Sequence, residues 1–188
     1  MRLFVAVNLP ERARRAAREA TAPLRSSRLP FTWVAEGSLH VTLKFLGDVD
    51  AGRADEIGRA LSDAVKTVRP FDVGLGGLGA FPAAERPRVV WLGVERHPAL
   101  ELLAHDVERT LAPMGFESEL KPFQPHVTLG RARKTAKAAE LKRWAAAAER
   151  IEFADVVPVE SVDLMESTLK TRGAEYRLVH QASLGRRS

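Results

Sequence analysis

One tetrapeptide occurs twice in the chain, and this repeat constrains the fold more than any other feature. His-Val-Thr-Leu stands at residues 40–43 and again at residues 126–129, which is 86 residues further along. The same shift places residues 2–5, Arg-Leu-Phe-Val, on residues 88–91, Arg-Val-Val-Trp. A repeat that contains histidine, in register with other repeated elements, indicates an internal duplication. The chain is therefore predicted to contain two similar lobes.

The two predicted lobes belong to one domain. A chain of 188 residues has the length of one ordinary domain, and no linker rich in Pro, Gly or Ser separates the halves. We therefore predict a single two-lobed domain over residues 1–188, with the repeat at about residues 1–86 and 87–183. The lobes are expected to share one sheet or to face each other across a cleft.

Hydrophobic periodicity predicts alternating strands and helices. Strands are predicted at residues 2–8, 31–34, 39–46, 88–94, 126–131, 156–166 and 174–183, with weaker signals at 70–78 and 117–121. Helices are predicted at residues 10–24, 53–68, 98–112 and 135–149. Arg172-Gly173 predicts a turn between the last two strands, and the tail from Gly185 is expected to be disordered.

Both copies of the tetrapeptide place polar side chains on one face of a strand. Side chains alternate between the two faces of a strand, so His40, Thr42 and Lys44 are predicted to share one face. The second strand presents His126 and Thr128 in the same way. If a twofold axis relates the lobes, the two polar faces meet across a cleft. Two imidazoles and two hydroxyls would then surround one small ligand.

This set of groups suits phosphoryl transfer. Opening a cyclic phosphodiester requires a base that activates water and an acid that protonates the leaving alkoxide. Imidazole titrates near pH ~6.5, so one histidine can be neutral while the other is charged. The threonine hydroxyls can donate hydrogen bonds to the phosphate oxygens. A second proton donor makes a metal ion unnecessary, so we predict neither a metal nor another cofactor.

Two other interpretations of the motif remain open. A single His-x-Thr on a strand is most often structural, because threonine favours strands, whereas the matched second copy favours a function. Two histidines could instead bind a metal ion, which usually takes a further His, Asp or Glu as ligand. No His-Glu-x-x-His and no third histidine accompanies either motif, so the metal interpretation is the weaker one.

Composition narrows the possible functions further. The chain has no cysteine, which excludes disulfides, thiolate metal sites and a catalytic thiol. No apolar run is long enough for a membrane helix, and the N-terminus does not resemble a signal peptide, so we expect a cytoplasmic protein without a membrane partner. The net charge of +5 is concentrated at residues 11–28 and 131–143. These segments indicate either contact with a polyanion or two solvated helix faces.

Five stretches of the chain resemble a known family. They are Arg2–Val7, Leu39–Gly47, Arg86–Gly93, Phe123–Arg131 and Leu164–Ser167, so that the resemblance spans about residues 1–183. Their pattern is similar to the two-histidine phosphoesterase superfamily, and most closely to its RNA 2′,3′-cyclic phosphodiesterases, also called 2′-5′ RNA ligases. The resemblance implies an α+β fold of two pseudo-symmetric lobes, with largely antiparallel sheets around a central cleft.

The resemblance also implies an activity and roles for individual residues. The expected reaction is hydrolysis of an RNA 2′,3′-cyclic phosphate end to a 2′-phosphate, with 2′-5′ RNA ligation as the reverse reaction. His40 would be the proton donor and His126 the proton acceptor, while Thr42 and Thr128 hold the phosphate. The expected partner is RNA with such an end, and we expect the protein to be a monomer.

Two basic residues are candidate substrate-binding residues. Arg131 matches the arginine that ends the family pattern, yet strict alternation places it on the core face of its strand, and a bulge at Gly130 would turn it to the cleft. Lys44 follows the first motif on the predicted polar face. The basic residues at 131–134 favour RNA over a free nucleotide. The alternatives are a phosphodiesterase of a small cyclic nucleotide and a non-catalytic module that binds a nucleotide or RNA.

Overall fold

A computed structural model describes residues 1–170 and 173–185. The strands within them are β1 (Arg2–Asn8), β2 (Phe31–Trp33), β3 (His40–Asp48), β4 (Phe71–Phe81), β5 (Val89–Val94), β6 (His126–Ala132), β7 (Ala154–Val159), β8 (Ser161–Lys170) and β9 (Gly173–Ser183). The α-helices are α1 (Glu11–Ala20), α2 (Ala22–Ser26), α3 (Ala54–Val65), α4 (Pro98–Leu111), α5 (Ala138–Leu141) and α6 (Arg143–Ala148). Arg172 of the predicted turn and residues 186–188 of the predicted tail lie outside the described residues.

The strands of the described residues form one antiparallel sheet. Eight of them follow the order β7-β4-β5-β6-β3-β1-β8-β9, and β2 pairs with β6. At the centre of this order, Val41 of β3 pairs with Val127 of β6. These two valines are equivalent positions of the repeated tetrapeptide, and β1 and β5 lie symmetrically on either side of them. The predicted α+β fold with two antiparallel lobes is confirmed, while the duplication at about 1–86 and 87–183 stays a prediction.

The two faces of the sheet have different surroundings. On one face, Val5 and Val7 of β1 join the large hydrophobic core, to which α3 and α4 also contribute. On the other face, Phe4 and Ala6 form a small separate cluster with Met165. Alternation along β1 explains this division. Within the described residues this second face carries only the small cluster, and the histidines and threonines of both motifs lie on it.

Helix α4 shows how local sequence fixes one of the packing elements. It begins at Pro98, a residue that is well tolerated at the first helical position, and His97 caps it because its Nδ1 accepts a hydrogen bond from the Ala99 N–H at 3.2 Å. Its buried residues have the spacing of one helix face and are Leu100, Leu103, Ala104, Val107 and Leu111. This face joins α4 to the core beside β3.

Several predicted boundaries differ from the structure. The predicted helix at 10–24 is divided at Thr21, two residues before Pro23, because proline lacks the N–H that would continue the helix. The segment predicted as one helix at 135–149 forms two short helices, α5 and α6. The glycine-rich segment at 70–78 belongs to a full strand, β4. The weak strand signal at 117–121 is wrong, since this segment forms a loop.

Candidate active site

His40 and His126 have the same local geometry. Nδ1 of His40 donates to the Ser38 carbonyl oxygen at 2.7 Å, and Nδ1 of His126 donates to the Gln124 carbonyl oxygen at 2.7 Å. A ring that donates from Nδ1 keeps Nε2 as its acceptor in the neutral state. The Thr42 hydroxyl donates to His40 Nε2 at 3.1 Å. Both rings are therefore oriented by the backbone just before their own strand.

Aromatic rings hold the two imidazoles from the side. The Phe4 ring lies 5.0 Å from the His40 ring, and Tyr176 contacts His40 edge-on at 5.2 Å. Phe81 contacts the His126 ring edge-on at 5.0 Å. Such edge contacts favour one ring orientation, so each histidine is fixed both by a hydrogen bond and by packing.

The pKa of each imidazole lies below its ordinary value of 6.5. Burial is the largest cause for both rings, because desolvation disfavours the charged form. The hydrogen bonds to the carbonyls of Ser38 and Gln124 oppose this decrease in pKa, whereas the positive charge of Arg131 adds to it for both rings. The free site therefore favours neutral imidazoles, and a bound anion would raise the pKa of both again.

One cavity of about 530 Å³ brings the predicted residues together. His40, Thr42, His126, Thr128 and Arg131 all line it. A cavity of this size fits one nucleotide-sized ligand. The other lining residues are Arg2, Leu3, Phe4, Val34, Phe45, Gly47, Phe81, Val89, Ser167, Leu169, Ala174 and Tyr176.

A bulge turns Arg131 towards this cavity. In the pairing of β5 with β6, Trp91 faces Thr128 and Val90 faces Gly130, so that Leu129 has no partner and the alternation reverses beyond it. Strict alternation therefore gives the wrong face for Arg131. The predicted bulge is present, although the extra residue is Leu129 and not Gly130.

The equivalent bulge removes Lys44 from the face of His40. In the pairing of β1 with β3, Ala6 faces Thr42 and Val5 faces Lys44, which leaves Leu43 without a partner. The prediction that Lys44 shares the face of His40 and Thr42 is therefore wrong. Its side chain is 1% exposed, lies on the core side beside Val5, and does not line the cavity.

Lys44 is instead part of a buried ion pair. Its Nζ lies 2.6 Å from Glu108 Oε2 of α4 and donates to the Glu117 carbonyl oxygen, also at 2.6 Å. A buried ammonium group requires such partners, since an unpaired charge in the core is strongly unfavourable. Lys44 thus connects β3 to α4 and to the loop before β6.

The β8–β9 hairpin contributes two lining residues that were not among the predicted site residues. Ser167 of β8 pairs with Tyr176 of β9, and both line the cavity. Arg2 and the exposed ring of Phe45 complete the rim. The available signals were weak: Ser167 ends one of the stretches that carry the family resemblance, and Tyr176 is the single tyrosine of the chain.

The described residues offer no further cluster suited to a metal ion. Among residues 1–170 and 173–185, no group of three or more His, Asp or Glu side chains is placed to hold one. Within the same part of the chain, no helix is both long enough and apolar enough to span a membrane.

Comparison with known proteins identifies the family. A sequence model described as the 2'-5' RNA ligase superfamily matches residues 9–170, which is most of the chain. The chain belongs to the 2'-5' RNA ligase superfamily. This chain is similar to the RNA 2',3'-cyclic phosphodiesterase of Thermotoga maritima, with 33% identity over 182 residues. The aligned region covers 96% of this chain and 94% of that protein. The RNA 2',3'-cyclic phosphodiesterase of Aeropyrum pernix is 37% identical over 162 residues, with 84% and 90% covered.

Solved structures show the same superfamily fold. The structure of TT0787 of Thermus thermophilus has a TM-score of 0.80 at 30% identity, with 98% of each chain covered. E. coli LigT complexed with 3'-AMP has a TM-score of 0.72 at 25% identity, with 97% of each chain covered. These comparisons confirm the predicted family and fold, and they confirm that this member of the 2'-5' RNA ligase superfamily is an enzyme of the hydrolase class.

Proposed function

We propose that the protein hydrolyses the 2′,3′-cyclic phosphate end of RNA and leaves a 2′-phosphate. The observation that carries this proposal is the cavity that His40, Thr42, His126 and Thr128 line together with Arg131. It offers two proton-transfer groups, two hydroxyl donors and a positive charge to one ligand. The names of the similar proteins of Thermotoga maritima and Aeropyrum pernix support the same substrate.

In the proposed reaction the two histidines transfer protons in opposite directions. Nε2 of His126 takes a proton from water while the water oxygen attacks the phosphorus atom. The bond between phosphorus and the 3′ oxygen breaks, and Nε2 of His40 gives its proton to that oxygen. The lowered pKa of His126 favours the neutral form that a base needs. His40 gains its proton more readily once the phosphate anion is bound, because a nearby negative charge raises its pKa.

The remaining groups bind the phosphate. The hydroxyls of Thr42 and Thr128 would donate to its non-bridging oxygens, and the guanidinium of Arg131 would balance their negative charge. Donors that are already oriented stabilise the transition state without further reorganisation. Since protonation by His40 takes the place of a Lewis acid at the leaving oxygen, we propose a reaction without a metal ion.

The substrate is proposed to be RNA and not a free cyclic nucleotide. Arg133 and Lys134 follow Arg131 and are exposed, so they can contact the phosphates of a longer strand. Each contact releases counterions, and binding of a long RNA should therefore weaken more steeply with salt than binding of a cyclic mononucleotide. Equal salt dependence would favour the small cyclic nucleotide as substrate.

The direct test uses an RNA that ends in a 2′,3′-cyclic phosphate. The wild-type protein should convert it to the 2′-phosphate in the presence of EDTA, with the position of the phosphate identified by NMR. Strong inhibition by EDTA that zinc or manganese reverses would contradict the proposal of a metal-free reaction. Binding without turnover would indicate a non-catalytic module.

The roles of the histidines can be separated with a modified substrate. His40→Ala and His126→Ala should each lose several orders of magnitude in rate, since each proton transfer contributes about 10²–10⁴-fold. Sulfur at the 3′ position leaves without needing much protonation. This substrate should restore His40→Ala and leave His126→Ala slow. Rescue of His126→Ala alone would reverse the assignment.

Ligation is the same chemistry with a different nucleophile. If the 5′-hydroxyl of a second RNA replaces water, its oxygen forms a 2′-5′ phosphodiester. We therefore propose 2′-5′ ligation as a side reaction at the same residues, measurable as a longer RNA product.

A further inference from the structure

A second cavity, of about 370 Å³, adjoins the first. Thr42, Phe45, Phe81 and His126 line both cavities. Of the two histidines, His126 borders both cavities, whereas His40 borders only the first among the described residues. The second cavity therefore reaches the active site on the side of His126.

The two cavities differ in charge. Arg2 and Arg131 line the first cavity, and no carboxylate does so among the described residues. The ionisable groups of the second cavity besides His126 are largely acidic, and they are Glu101, Glu108, Glu119, Lys121 and His105. Three carboxylates against the one ammonium group of Lys121 give the second cavity a net negative lining. An anionic substrate is thus attracted to the first cavity and is disfavoured in the second.

Two of the three carboxylates of the second cavity have partners. Glu108 Oε2 lies 2.6 Å from Lys44 Nζ, and Glu101 Oε1 lies 2.8 Å from Arg96 Nε. Arg96 is exposed, so solvent weakens its pairing with Glu101. Glu119 is exposed and makes no ion pair within the part of the chain that the structure describes. With Glu108 paired to Lys44, Glu101 and Glu119 outweigh Lys121 by one charge, so the repulsive charge rests on these two carboxylates.

The position of this cavity relates it to the proposed reaction. In-line displacement at phosphorus places the attacking and leaving oxygens on opposite sides. Under the proposed function His40 protonates the leaving oxygen, so the nucleophile approaches from the side of His126. We propose that the second cavity is the path of the nucleophile to the phosphorus atom, and that Glu101 and Glu119 select water against the 5′ end of a second RNA. This inference rests on the proposed function.

Charge selection acts on the nucleophile alone. In hydrolysis the water oxygen bonds to phosphorus, the bond from phosphorus to the 3′ oxygen breaks, His126 takes the proton of water and His40 protonates the 3′ oxygen. In ligation the 5′ oxygen of an RNA forms the new bond, and the same two protons move. An RNA nucleophile would bring its own phosphates beside the carboxylates, and like charges repel. The ratio of 2′-5′ ligated product to 2′-phosphate therefore measures the selection.

The test compares two nucleophiles that carry the same attacking group. A cyclic-phosphate RNA is incubated either with a short RNA that has a free 5′-hydroxyl or with uridine, which has the hydroxyl and no phosphate. In Glu101→Gln/Glu119→Gln the product ratio with the RNA acceptor should rise about 1.4- to fivefold for each carboxylate neutralised, the range for exposed charge pairs. The ratio with uridine should stay the same. Glu119→Lys should raise the ratio with RNA further than Glu119→Gln.

A matched control variant distinguishes an effect of the cavity carboxylates from an effect of the net charge of the protein. Glu149→Gln/Glu152→Gln makes the same change in net charge at exposed residues that do not line either cavity, and it should leave both ratios unchanged. A ratio with RNA that does not rise in Glu101→Gln/Glu119→Gln, or that rises equally with uridine, overturns the inference. If the wild type forms no 2′-phosphate, the proposed function itself fails; normal hydrolysis with an unaltered ratio refutes this inference alone.

Discussion

Lys44→Met removes a buried positive charge that connects β3 to helix α4 and to the loop before the second histidine motif. The ammonium group of Lys44 binds Glu108 of α4 and the carbonyl oxygen of Glu117, each at 2.6 Å. The loop after Glu117 leads to Gln124, whose carbonyl oxygen orients the ring of His126. The substitution should therefore affect both the stability of the fold and the geometry of the second motif.

The expected loss of stability follows from the burial of the pair. Removing one partner of a buried ion pair costs about 3–5 kcal/mol. The side chain of Glu108 is 21% exposed, so water restores part of its hydration. We expect the free energy of unfolding to fall by about 2–4 kcal/mol in Lys44→Met. Lys44→Met/Glu108→Met should recover most of this loss, because an apolar pair leaves no uncompensated charge.

Urea unfolding followed by tryptophan fluorescence measures these changes. The control is Lys66→Met, which removes an exposed pair with Asp63 and should change the free energy of unfolding by less than about 0.5 kcal/mol. In folded Lys44→Met, kcat should fall more than KM rises, because His126 loses its orientation. A loss no larger than that of Lys66→Met, or a double variant as unstable as the single one, would refute the reasoning.

Four further predictions concern the pH dependence of rate and of stability, packing and charge. In the free enzyme the pKa of both His40 and His126 lies below 6.5, so the pH profile of kcat/KM should be bell-shaped with its optimum below pH 6.5. The optimum of kcat should lie at a higher pH, because bound phosphate raises both pKa values. An optimum of kcat/KM well above pH 6.5 would contradict this prediction. The two histidines have a lower pKa in the folded protein than in the unfolded chain. As the pH drops below 6.5 the unfolded chain therefore binds protons first, and the free energy of unfolding, measured in urea, should fall. Gly130→Ala should destabilise the fold by about 1–3 kcal/mol, because its Cβ would lie 2.9 Å from the Trp33 ring, and an unchanged Tm would contradict the packing argument. Arg131→Gln should raise KM for the cyclic phosphate about tenfold with little change in kcat, as expected for one lost charge-assisted hydrogen bond, and an unaltered KM in initial-rate kinetics would exclude that contact.

The sequence allowed the centre of the site to be predicted because the relevant rule is local. Two residues separated by one position on a strand lie on the same face, so His40 with Thr42, and His126 with Thr128, could be paired without knowledge of any partner strand. The repeated motif, if a twofold axis relates the lobes, then predicted that both pairs meet in one cleft. Both predictions rest on the short segments that form β3 and β6.

The faces of Lys44 and Arg131 could not be predicted in the same way. Each follows a bulge, at Leu43 or Leu129, and the bulge exists only in the pairing with the neighbouring strand. One extra residue reverses the alternation for every position beyond it. Strict alternation therefore holds up to the leucine of each motif, which lies in the core as predicted, and gives the wrong face for Lys44 and Arg131 beyond it. Tyr176 escaped prediction for a related reason, since the long-range pairing of β8 and β9 brings it to the cavity.

The bulges also give the two repeated motifs different neighbours in the cavity. Acid and base roles require unequal proton affinities, whereas the repeat gives His40 and His126 the same strand position and the same carbonyl partner geometry. One difference lies at the second residue after each equivalent bulge, which is Phe45 in the first lobe and Arg131 in the second. Both line the cavity, but one is apolar and the other is a cation that lowers the pKa of the histidines. Because Arg131 acts on both imidazoles, its charge favours the neutral form of each and does not by itself distinguish the acid from the base. Under the proposed function that distinction comes from which histidine faces the leaving 3′ oxygen.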